Sequence, residues 1–162
     1  MCSAGAGEVY TSPTMREDVL KRFADSQLRR FARDYTAAWC SQNAPRVAAL
    51  YSPDGSLQIN AAAPAAGRAA IAESAQAFMT AFPDMVVSMD DVSFQGETAV
   101  YRWTLTGTHV GPGGTGRAVH ISGFEEWTFG DDGLIRESKG HFDEAEYQRQ
   151  LEGDHSSSVR QG

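Results

Sequence analysis

The 162-residue sequence lacks the features that mark several protein classes. It has two cysteines, Cys2 and Cys40, too few for a disulfide framework or a cysteine-based metal site. No apolar run approaches the roughly 20 residues that a membrane-spanning helix requires. Residues 1–7 also lack the charged and apolar regions of a signal peptide. These absences predict a cytoplasmic protein with free thiols and no membrane partner.

A surplus of basic charge is also missing. Fourteen basic residues stand against 21 acidic ones, giving a net charge of −7, and the basic residues are scattered, so we expect no nucleic-acid partner. No two histidines have metal-ligand spacing, and no His/Asp/Glu triplet suggests zinc or iron, so we expect no metal. What remains is a globular composition, 41% hydrophobic and 22% charged, with a length suited to one domain.

The first half of the sequence has mostly helical spacing. Over residues 15–41, apolar side chains recur at three- and four-residue steps, which predicts one long helix or two shorter ones. Shorter helices are predicted at residues 46–50 and 67–82. Between them, the Ser-Pro-Asp-Gly run at 52–55 predicts a turn, followed by a short strand at 56–60.

The second half changes to strand-like alternation. Four strands joined by Gly-rich turns are predicted, at residues 85–92, 97–108, 117–129 and 134–142. Helices followed by strands indicate an α+β domain with a largely antiparallel sheet, since a doubly wound parallel sheet would alternate the two elements. We expect this domain to span residues 14–152, with flexible tails at 1–13 and 153–162.

The later strands carry apolar side chains on both faces. Within residues 117–129, alternation places Ile121 and Trp127 on one face and Phe124 on the other. Helices can cover one face of the sheet, and a second subunit would cover the other. The pattern therefore predicts a homodimer that pairs through the sheet.

Several short segments, in this order and spacing, resemble the SnoaL-like polyketide cyclase branch of the nuclear transport factor 2-like superfamily. The most distinctive is RWTLTGTH at residues 102–109, and the others are YTAAW at 35–39, VAALY at 47–51, GRAAI at 67–71, FPD at 82–84 and GLIRE at 133–137. The resemblance implies a cone-shaped fold, with a curved sheet wrapped by helices around an internal pocket. It also implies cofactor-independent acid/base chemistry on a hydrophobic cyclic or polyketide-like small molecule.

The resemblance further implies where the proton-transferring groups would lie. SnoaL-type cyclases place an Asp on the last strand and a His on the strand before it, and the match puts Gly140 and Glu125 at these positions. Because Gly140 cannot transfer a proton, Glu125 becomes the candidate catalytic acid or base. Burial in an apolar cone would raise its pKa toward neutrality.

Other interpretations of the same pocket stay open. If Glu125 is only a paired structural carboxylate, the protein is a non-catalytic small-molecule-binding protein of the same fold. A third possibility is a dimeric interaction module, which predicts a cavity filled by its own side chains.

Five residues are candidates for substrate binding. Arg102 is expected to orient Glu125 or hold an oxyanion, with a cross-strand ion pair to Glu125 as the alternative. Tyr35 and Trp39 lie four residues apart on one helical face, where core packing is the alternative for Trp39. Thr104 stands where epoxide-hydrolysing relatives carry a carboxylate, and Trp127 shares a strand face with Glu125.

Two polar residues near the last strand have predicted structural roles. Strand alternation turns His141 away from the face of Gly140 unless a bulge re-aims it, which predicts an interface histidine. Asp143 follows the strand and precedes a helical pattern, so it is expected to cap a C-terminal helix.

Overall fold

The computed structural model describes residues 13–152, with side chains from residue 24 onward. The predicted tails lie outside this part of the chain, apart from Pro13, where the first helix begins. The elements in chain order are α1 (Pro13–Cys40), α2 (Ala44–Ala48), β1 (Tyr51–Ile59), β2 (Ala65–Ala66), α3 (Arg68–Ala81), β3 (Val86–Gln95), β4 (Thr98–Thr108), β5 (Ala118–Phe129), β6 (Ile135–Phe142) and α4 (Glu144–Glu152).

Helix α1 is one continuous helix, the first of the two predicted possibilities. Leu28, Ala32, Tyr35 and Trp39 recur at three- and four-residue steps and are all buried, so one face of the helix packs into the core. Helix α3 ends at Ala81, close to its predicted end. No helix within residues 13–152 is long and apolar enough to cross a bilayer.

The strands form one curved, six-stranded sheet in the order β2-β1-β6-β5-β4-β3. Neighbouring strands are antiparallel except β1 and β6, which run parallel. Helix α1 contacts β3, and helix α3 contacts β1. The domain is therefore α+β with a mostly antiparallel sheet, as the order of helices and strands predicts.

The turn predicted at residues 52–55 is wrong, because these residues belong to β1. Tyr51 pairs with Ile135 and Ser56 with Glu137, so β1 carries extra residues against β6 and bulges between the two pairs. A Cβ on Gly55 would lie 2.8 Å from the carbonyl oxygen of Ile135, so this close approach requires glycine. Turns and bulges favour the same residue types, and the sequence pattern does not distinguish them.

Alternation sorts the side chains of β4 and β5 onto two faces of the sheet. One face, called the inner face below, points toward the helices and carries buried side chains: Tyr101, Trp103, Leu105, Val119, Ile121, Glu125 and Trp127. The opposite face, called the outer face, carries exposed or half-buried side chains: Val100, Arg102, Thr104, Thr106, His120, Ser122, Phe124 and Glu126. The large apolar side chains of these strands are thus concentrated on the inner face.

Candidate functional site

The inner face of the sheet and helices α1 and α3 enclose a cavity of about 60 Å³. The residues that line the cavity are mostly apolar, and the acidic residue Glu125 also lines it. Ile59, Phe78 and Phe142 are half-buried, whereas the other lining residues are buried, so these three form the mouth.

The carboxylate of Glu125 is bound asymmetrically. Its Oε1 accepts hydrogen bonds from the Tyr35 hydroxyl at 2.8 Å, the Trp127 indole N–H at 2.8 Å and the Ser138 hydroxyl at 2.9 Å. Its Oε2 forms no hydrogen bond within the described part of the chain. Unlike a fully enclosed atom, Oε2 keeps some accessible surface. Oε1 is thus held in place, while Oε2 stays open to the cavity.

The register of the sheet places Glu125 between two partners. On β4 it pairs with Tyr101, whose ring stacks on that of Trp127 with centroids 4.7 Å apart. On β6 it pairs with Gly140, where an added Cβ would lie 3.6 Å from Glu125 Cγ. Because Gly140 has no side chain, no side chain directly opposite Glu125 on β6 covers the carboxylate.

Burial controls the ionisation of this cluster. Desolvation raises the pKa of Glu125, while hydrogen bonds from Trp127, Tyr35 and Ser138 oppose the shift without cancelling it. Desolvation and the nearby Glu125 charge also hold the pKa values of Tyr35 and Tyr51 well above the usual range. The two hydroxyls lie 2.9 Å apart and remain neutral, so Tyr35 acts as a hydrogen-bond donor to Glu125 rather than as a proton source.

A family model for the SnoaL-like domain matches residues 32–138, more than half of the chain. The chain belongs to the SnoaL-like domain family. No curated protein sequence matches it.

Solved structures share the fold of this SnoaL-like domain. One is a candidate SnoaL-like polyketide cyclase from Jannaschia sp. CCS1, with a TM-score of 0.68 and 16% identity over 78% of this chain and 92% of that one. Another, from Catenulispora acidiphila DSM 44928, has a ketosteroid isomerase-like fold and was crystallised with trimethylamine (TM-score 0.66, 14% identity, coverage 75% and 91%). A third is SalBIII, an epoxide hydrolase/cyclase-like enzyme in pyran ring formation in the polyether salinomycin (TM-score 0.64, 14% identity, coverage 75% and 94%). At such identities the likeness shows the fold alone.

Two of the predicted site residues lie outside the cavity of the SnoaL-like domain. Arg102 is exposed on the outer face, with its guanidinium over the ring of Phe124 at 5.4 Å. Thr104 also lies there, and its hydroxyl donates to Asp90 Oδ2 at 2.6 Å. The expected contact between Arg102 and Glu125, catalytic or ionic, is a wrong prediction, because alternation along β4 and β5 sends the two side chains to opposite faces.

The other predicted residues surround Glu125. Tyr35 is fully buried behind the carboxylate and holds it, instead of lining the cavity as expected. Trp39 lines the cavity, and Trp127 donates to Glu125. Ser138 is a donor that the sequence reasoning missed, although it lies on the same strand face as Gly140 and so could have been found from the two-residue period.

His141 lies on the strand face that alternation predicts, while its role at an interface stays a prediction, and Asp143 caps the C-terminal helix as expected. His141 points to the outer face, where it stacks on Phe124 with ring centroids 4.7 Å apart and lies 2.9 Å from Glu126 Oε1. Asp143 Oδ1 accepts a hydrogen bond from the backbone N–H of Glu146 at 3.0 Å, which caps α4.

Proposed function

We propose that this SnoaL-like domain is a cofactor-independent enzyme that moves a proton on a hydrophobic cyclic or polyketide-like small molecule, with Glu125 as the acid or base. The observation that carries the proposal is the asymmetric carboxylate. Three neutral donors fix Oε1, while Oε2 opens on an apolar cavity. A raised pKa brings such a group closer to neutral pH, where it can both accept and release a proton.

The chemistry that this geometry supports begins with removal of a proton from a carbon next to a carbonyl group. Oε2 takes the proton, and the electron pair of the C–H bond forms an enolate. The enolate then attacks a second carbonyl carbon in the same molecule, which closes a ring, and the proton returns to the new alkoxide.

The cavity volume restricts the substrate. An apolar cavity of about 150 Å³ binds benzene, whereas this one holds about 60 Å³. A substrate therefore binds by displacing side chains, and the half-buried Phe78 and Phe142 at the mouth are the ones with room to move. This favours flat molecules of one or two rings.

The proposal is tested by hydrogen–deuterium exchange at the acidic carbon of 2-indanone, a flat ketone, in deuterated buffer. We expect the wild-type protein to accelerate exchange and Glu125→Gln to lower the acceleration by about 100-fold or more, the usual contribution of a general acid or base. The matched control is Glu126→Gln, which makes the same change one residue away on the outer face. Accelerated exchange that survives in Glu125→Gln would rule out Glu125 as the acid or base, and a wild-type protein that does not accelerate exchange would favour a non-catalytic binding protein instead.

A further inference from the structure

We propose that Phe142 determines the size of the molecule that the cavity admits, and that Tyr147 of α4 holds the Phe142 ring in the mouth. Phe142 is thus a specificity-determining residue, and Tyr147 is a positioning residue that acts through it. The inference rests on the proposed function in taking this cavity as the ligand site, but it does not require catalysis by Glu125. It assigns flat ketones of two fused rings to the wild-type cavity and ketones of three fused rings to a cavity without the Phe142 ring.

The ring of Phe142 lies between the cavity and α4. One neighbour is Trp103, which lines the cavity and packs edge-to-face on the Phe142 ring with centroids 6.0 Å apart. The other neighbour is Tyr147, which lies outside the cavity wall and packs edge-to-face on the same ring with centroids 5.4 Å apart. A ligand that is too large for the cavity has to push the Phe142 ring outward, and Tyr147 opposes this movement.

Phe78, the other phenylalanine at the mouth, is supported differently. It lies on α3, a helix that packs one face into the core. Its ring packs edge-to-face on Trp39 with centroids 6.1 Å apart, and Trp39 is itself buried in the cavity wall. The helix and the aromatic neighbour of Phe78 both belong to the packed core, so displacing Phe78 disturbs more buried contacts than displacing Phe142.

Helix α4 is the element that can yield when the ring moves. None of its nine residues, all within the described part of the chain, is buried. Side-chain hydrogen bonds hold its two ends. Asn60 Nδ2 donates to Glu144 Oε1 at 3.1 Å, and the Gln150 amide bonds the backbone N–H and carbonyl oxygen of His120 at 2.6 and 2.9 Å. Segments with few buried contacts and exposed hydrogen bonds open locally at a low free energy, so Tyr147 can move outward without unfolding the core.

The backbone of Phe142 is fixed, so the size limit depends on its side chain. Phe142 is the last residue of β6 and pairs with Gly123 on β5. Its backbone N–H donates to Asn60 Oδ1 at 2.9 Å. Phe142→Ala deletes one benzene ring beside the cavity and leaves these backbone contacts in place. Apolar cavities made by such truncations bind aromatic molecules, so the enlarged cavity should accept one further fused ring.

The test compares 2-indanone with its naphthalene analogue, a flat ketone with one more fused ring. Dissociation constants come from ¹H–¹⁵N shift titrations of the full chain, whose spectra also show that each variant is folded. Phe142→Ala should improve binding of the larger ketone relative to 2-indanone by about tenfold or more, since one methylene group in an apolar pocket already discriminates about tenfold. Phe142→Leu, a milder truncation, should change the ratio in the same direction.

The matched control for this test is Phe94→Ala. It deletes the same ring from a half-buried residue on β3 that lies outside the cavity wall, and it should leave the ratio of the two dissociation constants unchanged. An unchanged ratio in both Phe142 variants, or an equal change in Phe94→Ala, would overturn the inference.

The role of Tyr147 is tested by a double-mutant cycle. Tyr147→Ala removes the aromatic neighbour that opposes movement of the Phe142 ring, so 2-indanone should bind about two- to tenfold more tightly, the factor that corresponds to one aromatic pair. Tyr147→Phe keeps the pair and should bind like the wild type. In the Phe142→Ala background, Tyr147→Ala should have no further effect. An equal change in both backgrounds, or weaker binding in both, would show that Tyr147 does not act through Phe142.

The same titrations separate this inference from the proposed function. Glu125→Gln should lose hydrogen–deuterium exchange but keep the wild-type ratio of the two dissociation constants. If exchange depends on Glu125 but the ratio does not respond to Phe142, the inference is wrong and the proposed function stands. If the ratio responds to Phe142 but exchange does not depend on Glu125, the inference stands and the proposed function is wrong.

Discussion

Glu125 and Glu126 are adjacent in the sequence but lie in opposite environments. Glu125 is on the inner face, 8% exposed, and held by three neutral donors on one oxygen. Glu126 is on the outer face, where its half-exposed carboxylate lies 2.9 Å from His141. The two-residue period of a strand alone produces this difference.

The comparison shows how the two faces of one strand give adjacent carboxylates different surroundings. A carboxylate beside a basic partner in water has its charge compensated at little cost, and such surface pairs contribute little to stability. A carboxylate in an apolar cavity has a raised pKa because the charged form is poorly solvated. The inner face thus raises the pKa of a carboxylate, whereas the outer face leaves its neighbour in an ordinary surface pair.

The largest expected difference between the faces concerns hydroxyl groups. Tyr35→Phe removes a fully buried hydroxyl that donates to Glu125 and accepts from Tyr51, and it should lower the free energy of unfolding by about 1–3 kcal/mol. Thr104→Val removes a hydroxyl from the outer face, where water can replace the bond to Asp90, and should cost about 0.5 kcal/mol or less. Urea denaturation measures both, and equal losses would contradict the distinction between the faces.

The next effect is a pH dependence of stability. The pKa of Glu125 is higher in the folded protein than in the unfolded chain, where it is about 4.3. The stability that protonated Glu125 contributes is therefore present below that value and is lost as the pH rises through the folded pKa. Relative to Glu125→Gln, the wild-type protein should lose about 1.4 kcal/mol for each unit of pKa difference. A stability difference that stays constant between pH 4 and 8 in urea titrations would argue against the shift.

Gly140→Asp should bring a second carboxylate to the inner face. An added Cβ meets only Gln58 O at 3.5 Å and Glu125 Cγ at 3.6 Å, which are ordinary van der Waals contacts. Two adjacent carboxylates repel each other when both are charged and share protons. The pH at which hydrogen–deuterium exchange of 2-indanone begins to increase should therefore be about one unit higher than in the wild type. Lys139→Asp, an exposed change on the same strand, is the control, and a profile that moves equally in both variants would indicate a general charge effect.

The last expected effect concerns assembly of the subunits rather than folding, and it is at Phe124. The homodimer remains a prediction, and Phe124, stacked between Arg102 and His141 on the outer face, is the large aromatic side chain available there. Phe124→Ser should shift the protein from dimer to monomer in light-scattering measurements while changing monomer stability by about 1 kcal/mol or less. A wild-type protein that is monomeric at all concentrations would disprove the pairing.

The sequence predicts the fold better than the site. Hydrophobic periodicity places the four long strands within one to three residues of their observed ends, and alternation puts Glu125 with Trp127 and turns His141 outward. Neither hydrophobic periodicity nor alternation within a strand gives the register between strands. The sequence therefore predicts a contact between Arg102 and Glu125, whereas the structure pairs Arg102 with Phe124 on β5. The donors to Oε1 come from α1, β5 and β6, and only the folded chain brings these elements together.

The parallel pairing of β1 with β6 has a consequence for how the protein is made. β6 is the last strand to leave the ribosome, and β1 is the first, so their ladder has to close a loop that contains most of the sheet. Contacts between such distant segments form slowly. Tyr35 and Tyr51 are synthesised long before Ser138, and the carboxylate cluster is completed only when β6 inserts between β1 and β5. A nascent chain that lacks β6 therefore lacks the Ser138 donor, and Glu125 gains its full set of hydrogen bonds only when this last strand has been synthesised.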